Sequence, residues 1–343
     1  MKGQNPKMAW RNNSARVLAA LLLAVPLAAL PLGVDDHAVA DLQRKAIEQQ
    51  VVDTVNSDKE STWVAGASEV FAGMSMEEYR GMLGLRLDRD YSKVPVKSYA
   101  GLQGAAPLPD SFNSYEQWPA WCHPIRNQER CGSCWAFAAS EVLSDRFAIA
   151  SKGSINKVLS PEDMVSCDKS DMGCEGGYLD HAWEYLNETG IVADSCFPYS
   201  AGGGKAAACV TKCQDGEPYT KYKAADYYQL KTEEDIMQDI FSFGPVEAGF
   251  RVYTSFMAYH SGVYHKRFLD LMEGGHAIKI VGWGVEPAKN RWTKAQPYWV
   301  CANSWTDAWG DKGFFKIRRG TDRKGNSECG IQDMVFAGHA QLA

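Results

Sequence analysis

The sequence predicts an α+β protein of two lobes, a helical half followed by a β-rich half, with a cleft between them. Three observations carry that expectation. Trp135, Ala138, Val142, Phe147 and Ala150 recur at helical spacing through residues 134–151, with Gly153 as a stop. Beyond position 232 the texture changes: Val246, Ala248, Phe250 and Val252 alternate, as do Ile278 and Ile280. Finally, 343 residues that are 45% hydrophobic and 23% charged suffice for a sizeable core and argue against wholesale disorder. The formal charge of −6 excludes a broad basic footprint for nucleic acid.

Lys2, Lys7, Arg11 and Arg16 precede an apolar run over 17–32 that Pro26 and Pro31 interrupt. Small residues follow at Ala38-Val39-Ala40, although a cut nearer Gly33 also fits. This pattern reads as a signal peptide over 1–40 and not as a membrane anchor. With the signal removed, the chain is expected to be free of the membrane and to belong to the secretory pathway, in a lysosome-like acidic compartment or secreted. Asn187-Glu188-Thr189 is the downstream glycosylation sequon.

Residues 41–107 lack Cys and carry a polar helical pattern at Leu42, Ala46, Ile47, Val51 and Val55, too thin in apolar residues for a domain of its own. They close with a Gly/Ala-rich stretch at 101–107 of the kind proteases nick. The region reads as a pro-segment, with a plain linker or a helical subdomain as the alternatives. The body at 108–343 divides into a helical lobe over about 118–215 and a β lobe over about 216–335. Shorter helices are expected at 161–167 and 179–186, and a flexible loop at 201–205. A helix over 232–243 ends at Gly244-Pro245, and strands are expected at 298–302 and 314–318.

The chemistry begins with ten Cys, all beyond position 121, which must be disulfides, metal ligands or nucleophiles. Cys134 opens the strongest helix, where the helix dipole lowers a thiol's pKa and favours the thiolate. Among seven His, His276 has the best setting: Gly274-Gly275-His276-Ala277 leads straight into an apolar strand that would hold the ring rigidly. Asn303 ends the neighbouring strand and can orient that ring, with Trp305 shielding the hydrogen bond. Gln128, six residues before Cys134, can offer its amide N–H beside the Cys134 backbone N–H as an oxyanion hole. Two rival readings of the Cys are weak. Cys131-Gly132-Ser133-Cys134 as a redox dithiol lacks a surrounding βαβ pattern, and a zinc site of Cys131, Cys134, Cys167 and Cys174 conflicts with a secreted chain. His123, His181, His260, His265 and His339 read as surface or structural, Trp283 and Trp299 as core, and Cys301 as a small buried hydrophobe.

These motifs resemble the papain-like cysteine proteases, whose C-G-[SA]-C-[WY] signature is matched at 131–135. The cathepsin B-like branch is echoed at 62–66, 117–119, 173–178, 244–247, 274–283 and 309–311. The resemblance implies a papain-like two-lobed fold with the active site in the cleft. It implies Cys134 as nucleophile, His276 as general base and acid, Asn303 as orienter of the His, Gln128 as oxyanion donor and a thioester acyl-enzyme. Gly176 and Gly177 would bind extended substrate backbone, and Tyr178, Leu179, Gly249, Ala277, Trp305 and Met334 would complete the substrate-binding surface. Implied partners are peptide and protein substrates and the chain's own pro-segment as inhibitor; neither cofactor nor metal is implied, and a monomer is expected. The family's pairing pattern implies disulfides Cys131–Cys174, Cys167–Cys209 and Cys196–Cys213, leaving Cys122, Cys301 and Cys329 unpaired beside Cys134.

The departures from that branch sharpen the expectation. Cathepsin B carries a long occluding loop with paired His, whereas here twelve residues separate Cys196 from Cys209 and none is His. Met334 stands where the branch places an acid on the floor of its second pocket, and Glu129 and Arg130 replace small residues. The chain is therefore expected to be an endopeptidase zymogen preferring an apolar residue two before the cut. The alternative from another class is a catalytically silent papain-fold binding or matrix protein, whose signature, a replaced nucleophile or His, is absent.

Overall fold

The computed structural model describes residues 45–101, 107–267, 270–321 and 324–342. The proposed signal peptide, Leu42 and residues 102–106 of the nick-prone stretch lie outside the described residues. In the expected pro-segment, α1 (Gln49–Ser57) buries Val52 and Val55. It is followed by β1 (Trp63–Ala65) and α2 (Met76–Met82). Hydrophobic spacing gives no hint of α2, but its start was legible as Ser75-x-x-Glu78. The Ser75 hydroxyl accepts from Glu78 N (3.2 Å) and the Glu78 carboxylate from Ser75 N (2.9 Å), a reciprocal cap.

The body opens with β2 (Phe112–Asn113), a single turn at Ser114–Gln117, and α3 (Cys134–Ala150). Every residue of α3 from Cys134 to Ala148 is buried, because the helix runs between the two lobes and meets packing on all sides. Shorter helices α4 (Pro161–Cys167) and α5 (Leu179–Glu188) pack beside it. Ser160 caps α4 and Pro161 occupies its first turn, where the missing N–H costs nothing.

The second half supplies β3 (Tyr228–Leu230), α6 (Glu233–Phe243), β4 (Val246–Tyr253) and β5 (Tyr259–Tyr264). Then come β6 (Met272–Glu286), β7 (Gln296–Ala302), β8 (Phe314–Arg318) and β9 (Met334–Ala337). The strands form one sheet in the order β1-β5-β8-β7-β6-β4-β9-β3, with β2 pairing β6. The pairs are antiparallel except β5–β8. Pro-segment strand β1 thus extends the sheet of the body. One core cluster lies on this sheet and holds Trp283, Trp299 and Cys301, while a second surrounds α3, α4 and α5.

A buried ion cluster bolts the lobes together. Lys279 of β6, 1% exposed, donates to Asp145 of α3 at 2.6 Å and lies 3.7 Å from Glu141. Removing one partner strands a buried charge, so Lys279→Met should cost about 3–5 kcal/mol. Melting curves of the full chain should show the midpoint falling by roughly 10 °C; a shift under two degrees would show that the cluster holds nothing together.

Candidate active site

Cys134 occupies the first turn of α3 and is fully buried. Its disulfide-forming neighbour Cys131 is bonded to Cys174, with further disulfides at Cys167–Cys209 and Cys196–Cys213. Those bonds remove both the dithiol and the zinc readings, since Cys131, Cys167 and Cys174 are consumed. Cys122, Cys134, Cys301 and Cys329 are free and buried.

His276 sits in β6 opposite Phe250 of β4, which fixes its backbone in the middle of a paired strand. Its Nε2 lies 2.8 Å from Asn303 Oδ1, just past the end of β7, and its ring stacks on Trp305 with centroids 4.5 Å apart. Nδ1, the other ring nitrogen, is buried and has no hydrogen-bond partner among the described residues. Gln128 is buried too, its Oε1 accepting from Ser304 Oγ at 2.7 Å. Its Nε2 donates to the carbonyls of Cys131 and of Met82, each at 2.8 Å. A pro-segment carbonyl therefore sits on the donor that sequence reasoning assigned to an oxyanion.

The segment from Met82 to Asp88 runs along the cleft. Leu85 N donates to Gly275 O (3.1 Å), Arg86 N to Gly177 O (3.0 Å), and Gly177 N to Gly84 O (2.9 Å). The bridge between Leu85 and Gly177 is parallel. Gly176, at φ 110°, allows this approach, because a side chain there would meet Gly84 O at 2.5 Å. The Leu85 side chain packs with Leu179, Ala277 and Met334, and a Cβ on Gly249 would lie 2.5 Å from its Cδ2. Tyr178 stands slightly apart and donates to Asp88 at 3.2 Å. Trp305 packs edge-on against Phe71 and Tyr79, centroids 5.3 and 5.7 Å away. Sequence reasoning missed these pro-segment contacts because they join residues some 46 to 249 positions apart.

Burial decides the electrostatics. It pushes the Cys134 thiol up to about 11, although backbone N–H groups of Ala277, Gly84 and Trp135 favour the anion. It also pushes His276 down to about 4, against the Asn303 hydrogen bond. In the closed cleft, burial thus opposes the thiolate expected at this helix start. Elsewhere, His123 and His339 pair with Asp145 and Asp226. Asn187 lies in the last turn of α5 with its Nδ2 donating to Ala224 O at 2.9 Å.

The family described as papain family cysteine protease matches residues 108–339. Cathepsin B-like cysteine proteinase 3 of Caenorhabditis elegans is 37% identical over 322 residues, covering 86% of this chain and 83% of the relative. Cathepsin B of Dictyostelium discoideum is 37% identical over 295 residues, covering 81% and 88%. Among solved structures, procathepsin B S9 from Trypanosoma congolense superposes with a TM-score of 0.77 at 31% identity, covering 87% of this chain and 100% of that one. A digestive procathepsin L2 from Tenebrio molitor gives a TM-score of 0.69 at 25% identity, covering 90% and 95%.

Proposed function

The chain belongs to the papain family of cysteine proteases and has a cathepsin B-like zymogen fold, and from that premise we propose that it is an endopeptidase acting through Cys134, His276, Asn303 and Gln128. The observation that carries this reading is the His276 ring, held by Asn303 through Nε2 with Nδ1 buried and unbonded, while the backbone N–H of the next residue, Ala277, favours the anion at the Cys134 sulfur. In an open cleft Nδ1 takes the thiol proton, and the sulfur attacks the scissile carbonyl. Gln128 Nε2, which holds the Met82 carbonyl in the zymogen, stabilises the oxyanion. His276 then protonates the leaving amine, and as base it activates the water that hydrolyses the thioester.

Peptide and protein chains are the substrates, and the pro-segment is the inhibitor. The short Cys196–Cys209 interval leaves no His-bearing loop across the cleft, which favours internal cuts. The disulfides fit a secretory route, lysosome-like or secreted, with the pro-segment removed near Pro107-Leu108.

At the second pocket, Leu85 among Gly249, Leu179, Ala277 and Met334 supports an apolar preference. Glu247, on the same strand face as Gly249, offers no counter-charge: burial pushes its carboxyl well up, and one oxygen accepts from Trp183 Nε1 at 2.7 Å. Burying an apolar side chain in such a pocket is worth roughly 1.5–3 kcal/mol. The acid-activated enzyme should therefore cleave a Phe-Arg fluorogenic substrate about tenfold or more faster than Arg-Arg. Met334→Glu should raise the Arg-Arg rate selectively. Equal rates in the unmodified enzyme would reject the pocket assignment, and exclusive release of C-terminal dipeptides would reject the endopeptidase reading.

A further inference from the structure

We infer that Arg130 is a specificity-determining residue on the leaving-group side of the cleft, binding a substrate carboxylate two or three residues after the cut; this rests on the peptidase reading above. The pro-segment marks the subsites. Leu85 fills the pocket assigned to the second residue before the cut, and the Met82 carbonyl occupies the Gln128 donor. Pro-segment residues preceding Met82 therefore lie beyond the cut, since Leu85, which fills the pocket before the cut, comes three residues after Met82 in the chain.

Glu78 lies there. It stands four residues before Met82 on α2, so the two share a helix face about 6 Å apart along the axis. An extended substrate covers that distance in about two residues, at roughly 3.3 Å each. The Glu78 carboxylate reaches Arg130, Oε1 to Nη1 at 2.8 Å. Its other oxygen accepts from Ser75 N (2.9 Å) and Ser75 Oγ (3.2 Å), so the capping box aims the group. The pro-segment thus presents a carboxylate to Arg130 from a substrate-like position.

The body holds Arg130 ready for a replacement. Its backbone N donates to Gly202 O at 3.0 Å. Glu129, at φ 53°, directs its own carboxylate over Gly202. The short disulfide-bound segment around Gly202 does not cover the guanidinium, whose side chain is 64% exposed even in the zymogen. When the pro-segment leaves, Glu78 goes with it. A planar guanidinium then faces the cleft and can take either an Asp or Glu side chain or the C-terminal carboxylate of a peptide ending two residues past the cut. A solvent-exposed pair of this kind adjusts preference by a few-fold and leaves the cleft open to long chains.

The test uses enzyme activated from the full chain and internally quenched peptides with Leu two before the cut. One amidated set carries Ala, Glu or Lys at each of the first three positions after the cut. A second set ends two residues after the cut, with a free or an amidated C-terminus. Within each variant the readout is the ratio of kcat/KM values, so any general loss of activity cancels. Glu should exceed Ala at the second or third position by about two- to fivefold, and the ratio should fall to one in Arg130→Ala. Arg130→Glu should reverse it in favour of Lys. A free acid preferred over its amide only in the short set, and lost in Arg130→Ala, identifies the C-terminal carboxylate as the ligand. Absence of a carboxylate preference in both sets, or its survival in Arg130→Ala, overturns the inference. A wild-type enzyme that cuts not even the Ala peptide fails the underlying peptidase reading instead.

Discussion

Cys134→Ala is expected to abolish peptide hydrolysis, lowering kcat/KM by about 10⁴-fold or more, because it removes the attacking atom. The variant should still fold, since the change deletes one sulfur at the start of a helix whose remaining buried residues are untouched. It should also remain full length in acid, as no active site is left to cut near Pro107. His276→Ala should fall in the same range, because the thiol then has no proton acceptor. Asn303→Ala should be milder, roughly tenfold to hundredfold, as it frees the ring to rotate about its Trp305 stack without deleting a reacting group. Steady-state kinetics on one fluorogenic substrate ranks the three. Residual activity in Cys134→Ala within tenfold of wild type would exclude the mechanism, and so would equal losses for Asn303→Ala and Cys134→Ala.

Acid should open the zymogen, and histidine should start the opening. His276 is held down to about 4 by burial in the closed cleft. His265 is held down to about 4 by burial and by Arg318, with Thr62 of the pro-segment 3.0 Å from its Nδ1. Both rings regain an ordinary value near 6.5 once exposed to water. A basic group depressed in the closed state favours closure fully above pH 6.5 and loses that contribution as pH falls toward 4. For His276 alone this is worth up to about 3 kcal/mol, or roughly a hundredfold in the closed-to-open ratio. Glu78, held low by the Ser75 backbone N–H, the Ser75 hydroxyl and Arg130, favours the closed state above the ordinary carboxylate range and releases only in stronger acid. Activation of the full chain should therefore be slow and nearly flat from pH 8 to 7, then rise roughly a hundredfold between pH 6.5 and 4.5. A profile flat to pH 5 would assign release to carboxylates alone, and full activity of the uncut chain at pH 7.5 would show that the pro-segment does not inhibit.

Much of the site is legible in the chain because its signals are local. A nucleophile at a helix start, a His leading an apolar strand and an Asn closing the next strand are each readable within about ten residues. The helix α3 and strand β4 followed from spacing in the same way. Strand β1, helix α2 and the short strands β2 and β9 did not, since a two- to four-residue strand exists only through its partner. Phe112 pairs with Trp283, and Trp63 with Gly262, and neither pairing leaves a periodic trace. The reciprocal cap at Ser75 and Glu78 is the one local mark that α2 carries.

By itself the sequence determined the α+β class, the candidates for the reactive side chains, and the absence of a His-bearing loop between Cys196 and Cys209, because each is a property of residue type and short spacing. Tertiary structure alone decided their state. It set Met82 on Gln128 and Leu85 in the pocket, and it joined Glu78 to Arg130. It also set burial against the dipole at the helix-start thiol and pushed that thiol up, because desolvation depends on what covers the sulfur, and Gly84 beside it lies fifty residues away in the chain.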